Sequence, residues 1–369
     1  VALADHRVER SFRAEQAGDL LTAVHQAETA YRLDPALTQR LFRLALLEAR
    51  LAAQTQDPLI TAQAIDHYQT GLSQEPIWGL NSANLAGLLA AQGRLDEATD
   101  WLERTLTSDD KMIYWLNLGY FSEQQQNWEA ATAAYGQVLR QQRVVAGSGF
   151  WQATPARAAH WPQIVSAALG PESAADRAAL RLDLARLQNS GTLPNPEELL
   201  TLLDPASQFR VNLIEWYLYR DKLDSVTALL EPVPQSGQDH LWWGRYKLQN
   251  GELDKAEPLL KIAAFQRIRQ AHYYLGQLYE TRGDLQAAEF AYQKAFFVAS
   301  PENVDVTIYG RYGGNDLAPQ LIQLGDPQQS QTLRALVELY RNQKRSQEAD
   351  RLTKLLHQID PFLSTDQDK

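Results

Sequence analysis

Apolar and small side chains recur along most of this chain at steps of three and four residues, the spacing that lines up one face of a helix. The clearest case is HYYLGQLYETRGDLQAAEFAYQKAFFVASP, residues 272–301. Leu275, Gly276 and Tyr279 stand at i, i+1 and i+4, and Ala288, Tyr292 and Ala295 at i, i+4 and i+7. The pattern predicts a helix, a turn at residues 282–284, and a second helix ending near Pro301. Small Gly276 and Ala288 let the two backbones approach, and Tyr279 and Tyr292 fill the space around them. The arrangement returns at 239–265 with Trp243, Gly244, Gly251, Ala256 and Leu260. It returns at 81–106 with Leu85, Ala86, Leu89, Gly93, Ala98 and Leu102, and at 114–139 with Trp115, Leu118, Gly119, Trp128, Ala131 and Tyr135. Neighbouring copies are offset by 33 residues (Ala86 to Gly119) and 32 (Gly244 to Gly276).

This set resembles the tetratricopeptide repeat, which has a period of about 34 residues, small residues where its two helices cross and a closing proline. The resemblance implies an all-α, right-handed superhelical solenoid of roughly seven to nine helix pairs, here with irregular central helices and one inserted loop. Weaker copies extend it. Gly18, Ala23, Ala27, Ala30 and Pro35 look like the second half of a repeat. LFRLALLEARLAAQ and ITAQAIDHYQTGLSQEP form a pair around a linker at 56–58, and the last pair carries Leu336, Tyr340, Ala349 and Pro361 before a polar tail expected to fray. The chain therefore divides into repeats over 1–142, an irregular helical segment with degenerate repeats over 143–236, repeats over 237–301, an inserted loop over 302–328, and a final pair with its tail over 329–369. Within the loop, DVTIY alternates like a strand and GRYGG reads as a turn.

In the resembled family the first helix of each pair lines the concave face. That places Asn84, Tyr120, Glu123, Trp242, Arg245, Gln249, Tyr273, Gln277, Glu280, Arg334 and Arg341 toward a binding groove. Rings stack while amides and guanidinium groups bond, a mixture suited to peptide or glycan. The Lys/Asn set with which chaperone-binding arrays clamp a carboxylate is not at those positions. A second candidate surface is GSGFWQATPARAAHW, residues 147–161, where the repeats break. Phe150, Trp151 and Trp161 either fill a junction turned by Gly147, Gly149 and Pro155, or the loop presents Trp151 and Arg157 to a partner.

Composition narrows the classes. Nine Trp and fifteen Tyr exclude a disordered chain. A formal net charge of −10 with no basic run argues against nucleic acid as a partner. The absence of cysteine removes disulfides, thiolate catalysis and Cys-ligated metals. None of the seven histidines stands at metal-ligand spacing from another, no HExxH occurs, and the two glycine-rich spots match no nucleotide motif. No cofactor or metal is expected, and no catalytic residue stands out. No apolar run reaches the roughly 20 residues that span a bilayer, so any membrane link would lie in a segment outside this sequence. YWLNLGYFSEQQQNWEAATAAYGQVL followed by Phe-Trp and an arginine looks like the soluble repeat region of bacterial O-antigen ligase or polymerase-type membrane proteins, whose glycan chemistry belongs to their membrane portion. A start at Val1 and a single Met112 suit a piece of a longer exported or membrane-anchored parent. The expectation is a noncatalytic scaffold for protein or peptide in bacterial envelope assembly, outside the cytoplasm. Its rivals are the soluble domain of a membrane glycan ligase, an enzyme with a site between 143–236 and 302–328, and a cytoplasmic scaffold.

Overall fold

The computed structural model describes residues 2–169, 174–187, 208–297, 317–325, 327–359 and 361–362. Among these residues every regular element is helical. The strand-like DVTIY, the GRYGG turn, residues 188–207 of the irregular helical segment and the polar tail lie outside the described residues. The helices form two compact units. One runs through Val138 and includes residues 317–323; the other runs from Leu139 and resumes at Leu324.

The first unit stacks helix pairs: α1 (Ala2–Gln16) with α2 (Leu20–Leu33), α3 (Thr38–Thr55) with α4 (Pro58–Gln74), α5 (Gly79–Ala91) with α6 (Leu95–Leu106), and α7 (Met112–Gln124) with α8 (Trp128–Gln141), which runs just past Val138. The partner helix α1 was not anticipated from the pattern. Its buried set is only Ala4, Val8 and Ser11, two small residues and one valine, which leaves little periodic signal. In the second unit come α9 (Pro155–Ala159), α10 (Trp161–Leu169), α11 (Ala174–Leu187), α12 (Gln208–Tyr219) and α13 (Leu223–Thr227). They are followed by the pairs α14 (Gly237–Gln249) with α15 (Leu253–Phe265), α16 (Arg269–Thr281) with α17 (Leu285–Phe297), and α18 (Pro327–Asn342) with α19 (Ser346–Ile359).

One backbone device sets the register. Almost every turn from a first helix to its second passes through a left-handed residue: Gly18, Gly93, Gln126, Asp221, Gly251, Gly283 and Lys344 all have φ between 55° and 79°. The next amide then reaches back five residues to close the helix end, as in Arg94 N–H to Leu89 O at 3.0 Å, Asn127 to Ser122 at 2.9 Å and Asp284 to Tyr279 at 2.9 Å. Lys222 N–H to Tyr217 O at 2.9 Å is the same closure. It marks α12 and α13 as a repeat-type pair inside the irregular stretch. The turn at Gln56 differs: its own N–H closes α3 on Ala52 O, and Asp57 caps α4 ahead of Pro58.

The helix crossings explain the small residues. A Cβ on Gly119 would lie 2.6 Å from the Tyr135 ring, and one on Gly244 would lie 2.6 Å from Leu260 Cδ2. One on Gly276 would run into the Tyr292 ring. Tyr135 and Tyr292 are buried, and each donates its hydroxyl across the pair, to Glu123 and Glu280 respectively, both at 2.7 Å.

Candidate functional site

The second unit carries a recess of about 450 Å³ on its first helices, lined by Arg245, Gln249, Tyr273, Gln277, Glu280 and Glu338 among others. Five of the expected groove residues thus come together, on α14 and α16. Their partners decide what each can do. Arg245 is buried, pairs with Glu215 of α12 and stacks over the Tyr274 ring at 4.6 Å. Glu215 also accepts from Trp242 Nε1 at 2.6 Å. Trp242 is therefore a core residue, 4% exposed, and does not line the recess. Gln249 is exposed and donates to Leu218 O at 2.8 Å, and Gln277 donates to the Tyr273 hydroxyl at 3.1 Å. Burial pushes the Tyr273 hydroxyl up to about 12, so it remains a donor at neutral pH. Glu338 stands exposed on the rim. The expected arginines of α18 do not join the recess: Arg334 is half-buried beside it and Arg341 is exposed elsewhere on the helix.

Glu280 lines the recess while accepting from Tyr292, and Glu123 accepts from Tyr135 in the same way. Both hold a buried tyrosine, and Glu280 does so while still lining the recess. The sequence carries the signal: a glycine, a glutamate four residues on and a tyrosine twelve later, as Gly119, Glu123 and Tyr135, and again as Gly276, Glu280 and Tyr292. Tyr120 is half-buried against Phe121.

The reading of 147–161 as a loop that presents Trp151 and Arg157 is corrected by their burial. They are 0% and 1% exposed. Trp151 Nε1 donates to Val145 O at 2.7 Å. Arg157 donates to Phe150 O at 2.6 Å and lies over the Phe150 ring at 3.7 Å. Phe150 in turn packs edge-on against Phe362 at 5.0 Å. The stretch is two 3₁₀ turns (Arg143–Gly147 and Gly149–Gln152) and α9, folded into an aromatic junction. A satisfied guanidinium and a satisfied indole inside such a plug have nothing left to offer a ligand.

In the first unit, Asn84 is fully buried and is met by the chain itself. Its Oδ1 accepts from Ala318 N–H at 2.8 Å, while its Nδ2 donates to the Tyr68 hydroxyl at 3.1 Å. One repeat further along, Asn117 holds Ile322 by both backbone groups: Nδ2 donates to Ile322 O at 2.9 Å and Oδ1 accepts from Ile322 N–H at 2.8 Å. Asn117 was missed by the sequence reading, although it follows Asn84 by 33 residues, the repeat offset itself.

A second recess, of about 490 Å³, lies on α15, α16 and α17, lined by Phe265, Phe290, Leu275, Lys261 and Lys294. Phe265 is 88% exposed and Phe290 62%, so this side is apolar and open. Among the described residues, no group of three or more His, Cys, Asp or Glu side chains is placed to hold a metal ion, and no helix is long and apolar enough to cross a membrane.

No protein-family model matches the chain, and no curated protein matches it. Among solved structures, it is similar to a tetratricopeptide repeat protein from Parabacteroides merdae (17% identity, 72% of this chain and 94% of that one, TM-score 0.36). It is also similar to yeast Tom70 (11%, 96% and 92%, TM-score 0.35). A third is the C-terminal part of a repeat-containing protein from Cytophaga hutchinsonii (15%, 72% and 98%, TM-score 0.25). At these values the repeat architecture stands on the turns and crossings described above.

Proposed function

We propose that the chain is a noncatalytic scaffold that binds an extended peptide segment of a partner protein in the recess on α14, α16 and α18. The supporting observation is the composition of that one recess: tyrosine rings, two side-chain amides, a guanidinium already neutralised by Glu215, and carboxylates at Glu280 and Glu338. Amides pair with a ligand backbone and rings cover its side chains. With Arg245 neutralised, the remaining charge at the recess is negative, which favours a ligand carrying Lys or Arg. A volume of about 450 Å³ accommodates a few residues. The test is binding of full-length chain to arrays of 12-residue peptides and of oligosaccharides, repeated with Gln277→Ala/Glu338→Lys. Basic peptides that bind the wild type and lose at least about tenfold with the double variant are the expected result, a difference of about 1.4 kcal/mol. Equal binding by both proteins sinks the proposal.

The pairing of aromatic faces with Gln249 and Gln277 is also how a glycan is held, and oligosaccharide binding with the same sensitivity would establish that reading instead. The companion proposal is an extracytoplasmic role in bacterial envelope assembly, supported by an acidic, cysteine-free composition. Fractionation of cells carrying the full-length gene product tests it; recovery from the cytosol alone overturns it.

A further inference from the structure

The first-helix face of the first unit has a peptide in it. Residues 317–322 of this chain cross α3, α5 and α7 as a turn, closed by Leu321 N–H to Ala318 O at 3.1 Å, with no helix or strand of their own. Their polar contacts to that face are side chain to backbone: Asn84 to Ala318, Asn117 to both backbone groups of Ile322, and Gln320 Nε2 to Ala49 O at 2.9 Å. Leu317 and Leu321 join the core of the unit, with Leu321 5% exposed. Leu321 sits where Gly87 leaves α5 bare; a Cβ on Gly87 would lie 3.0 Å from its Cγ and Cδ2. A glycine inside a helix costs roughly 1 kcal/mol relative to alanine, so something must require it. The crossing with α6 does not, because Ala86 holds the position equivalent to Gly119. The nearest atoms a Gly87 Cβ would meet all belong to Leu321 and Gln320. The recess is shaped for a leucine that closes a turn.

We infer that this face is a receptor for a leucine-bearing peptide turn, with residues 317–322 as its resident ligand, and that a separate polypeptide of the same chemistry competes for it. That chemistry is an unpaired N–H, three residues on a leucine, and immediately after it a residue whose N–H and C=O are both free. The two asparagines read backbone alone, so side-chain choice rests on Leu321 in the space left by Gly87, with small buried Ala318, Leu317 and the Gln320 amide adding to it. A tethered segment competes at an effective concentration on the order of millimolar, so the face opens to a partner only when the resident segment is weakened. This inference is independent of the recess on α14, α16 and α18, and neither stands or falls with the other.

The experiment titrates a fluorescein-labelled synthetic peptide of residues 316–326 into full-length chain, read by anisotropy. Leu321→Asp weakens the resident segment without touching its receptor, and Ile322→Pro does so separately by removing the N–H that Asn117 accepts. Each variant is checked by circular dichroism. The folded variants are expected to bind the peptide at least about tenfold tighter than the wild type. Adding Gly87→Leu or Asn117→Ala to either variant should abolish that gain, and a peptide with its own leucine changed to Asp should not bind. The inference is overturned if both resident-segment variants fail to fold, since the segment is then a fixed part of the unit. It is overturned if folded variants bind no tighter than the wild type. It is overturned too if the wild type is a dimer that the peptide dissociates, which would make a second copy the occupant.

Discussion

Gly276→Ala puts the helix-crossing argument at risk, because its sign is opposite to the ordinary one. Glycine to alanine inside a helix normally stabilises by about 0.5–1 kcal/mol through backbone entropy. Here the new Cβ would lie 2.5 Å from Tyr292 Cδ1. The ring cannot retreat cheaply. It is 1% exposed, its hydroxyl donates to Glu280 at 2.7 Å, and the Tyr273 ring stands 5.7 Å away. Overpacking of this kind costs about 1–3 kcal/mol, so the net expectation is a loss of about 1 kcal/mol. In a Tyr292→Leu background the ring is gone, and the same alanine should stabilise by about 0.5–1 kcal/mol. The coupling between the two positions is then about 1–3 kcal/mol, measurable as a double-mutant cycle. Urea unfolding followed by far-ultraviolet circular dichroism supplies the free energies. Amide hydrogen exchange over α16 and α17 localises them, because a repeat array need not unfold in one step. If Gly276→Ala stabilises the wild type, or acts alike in both backgrounds, the proposed crossing is wrong.

Arg245→Met should destabilise the second unit by about 3–5 kcal/mol, because it removes the buried guanidinium that pairs with the largely buried Glu215 carboxylate; adding Glu215→Leu should recover much of that loss in thermal unfolding. His67 Nδ1 lies 2.7 Å from the buried Glu48 carboxylate, whose hydrogen bond raises the histidine pKa despite partial burial, with Asp66 and Glu28 adding in the same direction. Its stabilising contribution is therefore complete below the unfolded value of about 6.5 and lost as pH rises through the folded one. The melting-temperature gap between wild type and His67→Gln should be larger near pH 6 than near pH 9, and a constant gap refutes the pairing. Gly149→Ala drives a Cβ into the Phe362 carbonyl, a backbone atom and not the tip of a flexible side chain, so it should detach the C-terminal segment and speed its limited proteolysis.

The parts legible in the sequence are those whose cause is local. The glycines at 93, 251 and 283 mark turns because a left-handed residue costs glycine least, and Gly119, Gly244 and Gly276 mark crossings because nothing larger fits. The same turn built on Gln126, Asp221 or Lys344 carries no glycine: the pairs around Gln126 and Lys344 are legible from the residues of their helices, whereas α12 and α13, turned at Asp221, read as irregular. The site was harder. Placing residues on first helices brought Arg245, Gln249, Tyr273, Gln277 and Glu280 to one recess, but helix phase alone does not separate a side chain aimed at a ligand from one committed to a neighbour. Trp242 is committed to Glu215, 27 residues away, and Trp151 and Arg157 are spent inside their own junction. The bonds that hold residues 317–322 span 205 to 271 residues, and no periodicity reports a contact of that range.

The central claim is that the first helices, not the second, face the ligand. The rival surface is concrete, since α15 and α17 expose Phe265 and Phe290 beside a recess of similar size. Amide hydrogen exchange of the full chain, with and without a saturating peptide selected on the wild-type protein, separates the two. Protection is predicted along α14, α16 and α18, with α15 and α17 unchanged apart from their contacts beneath. Protection confined to α15 and α17 around Phe265 and Phe290 would contradict the account.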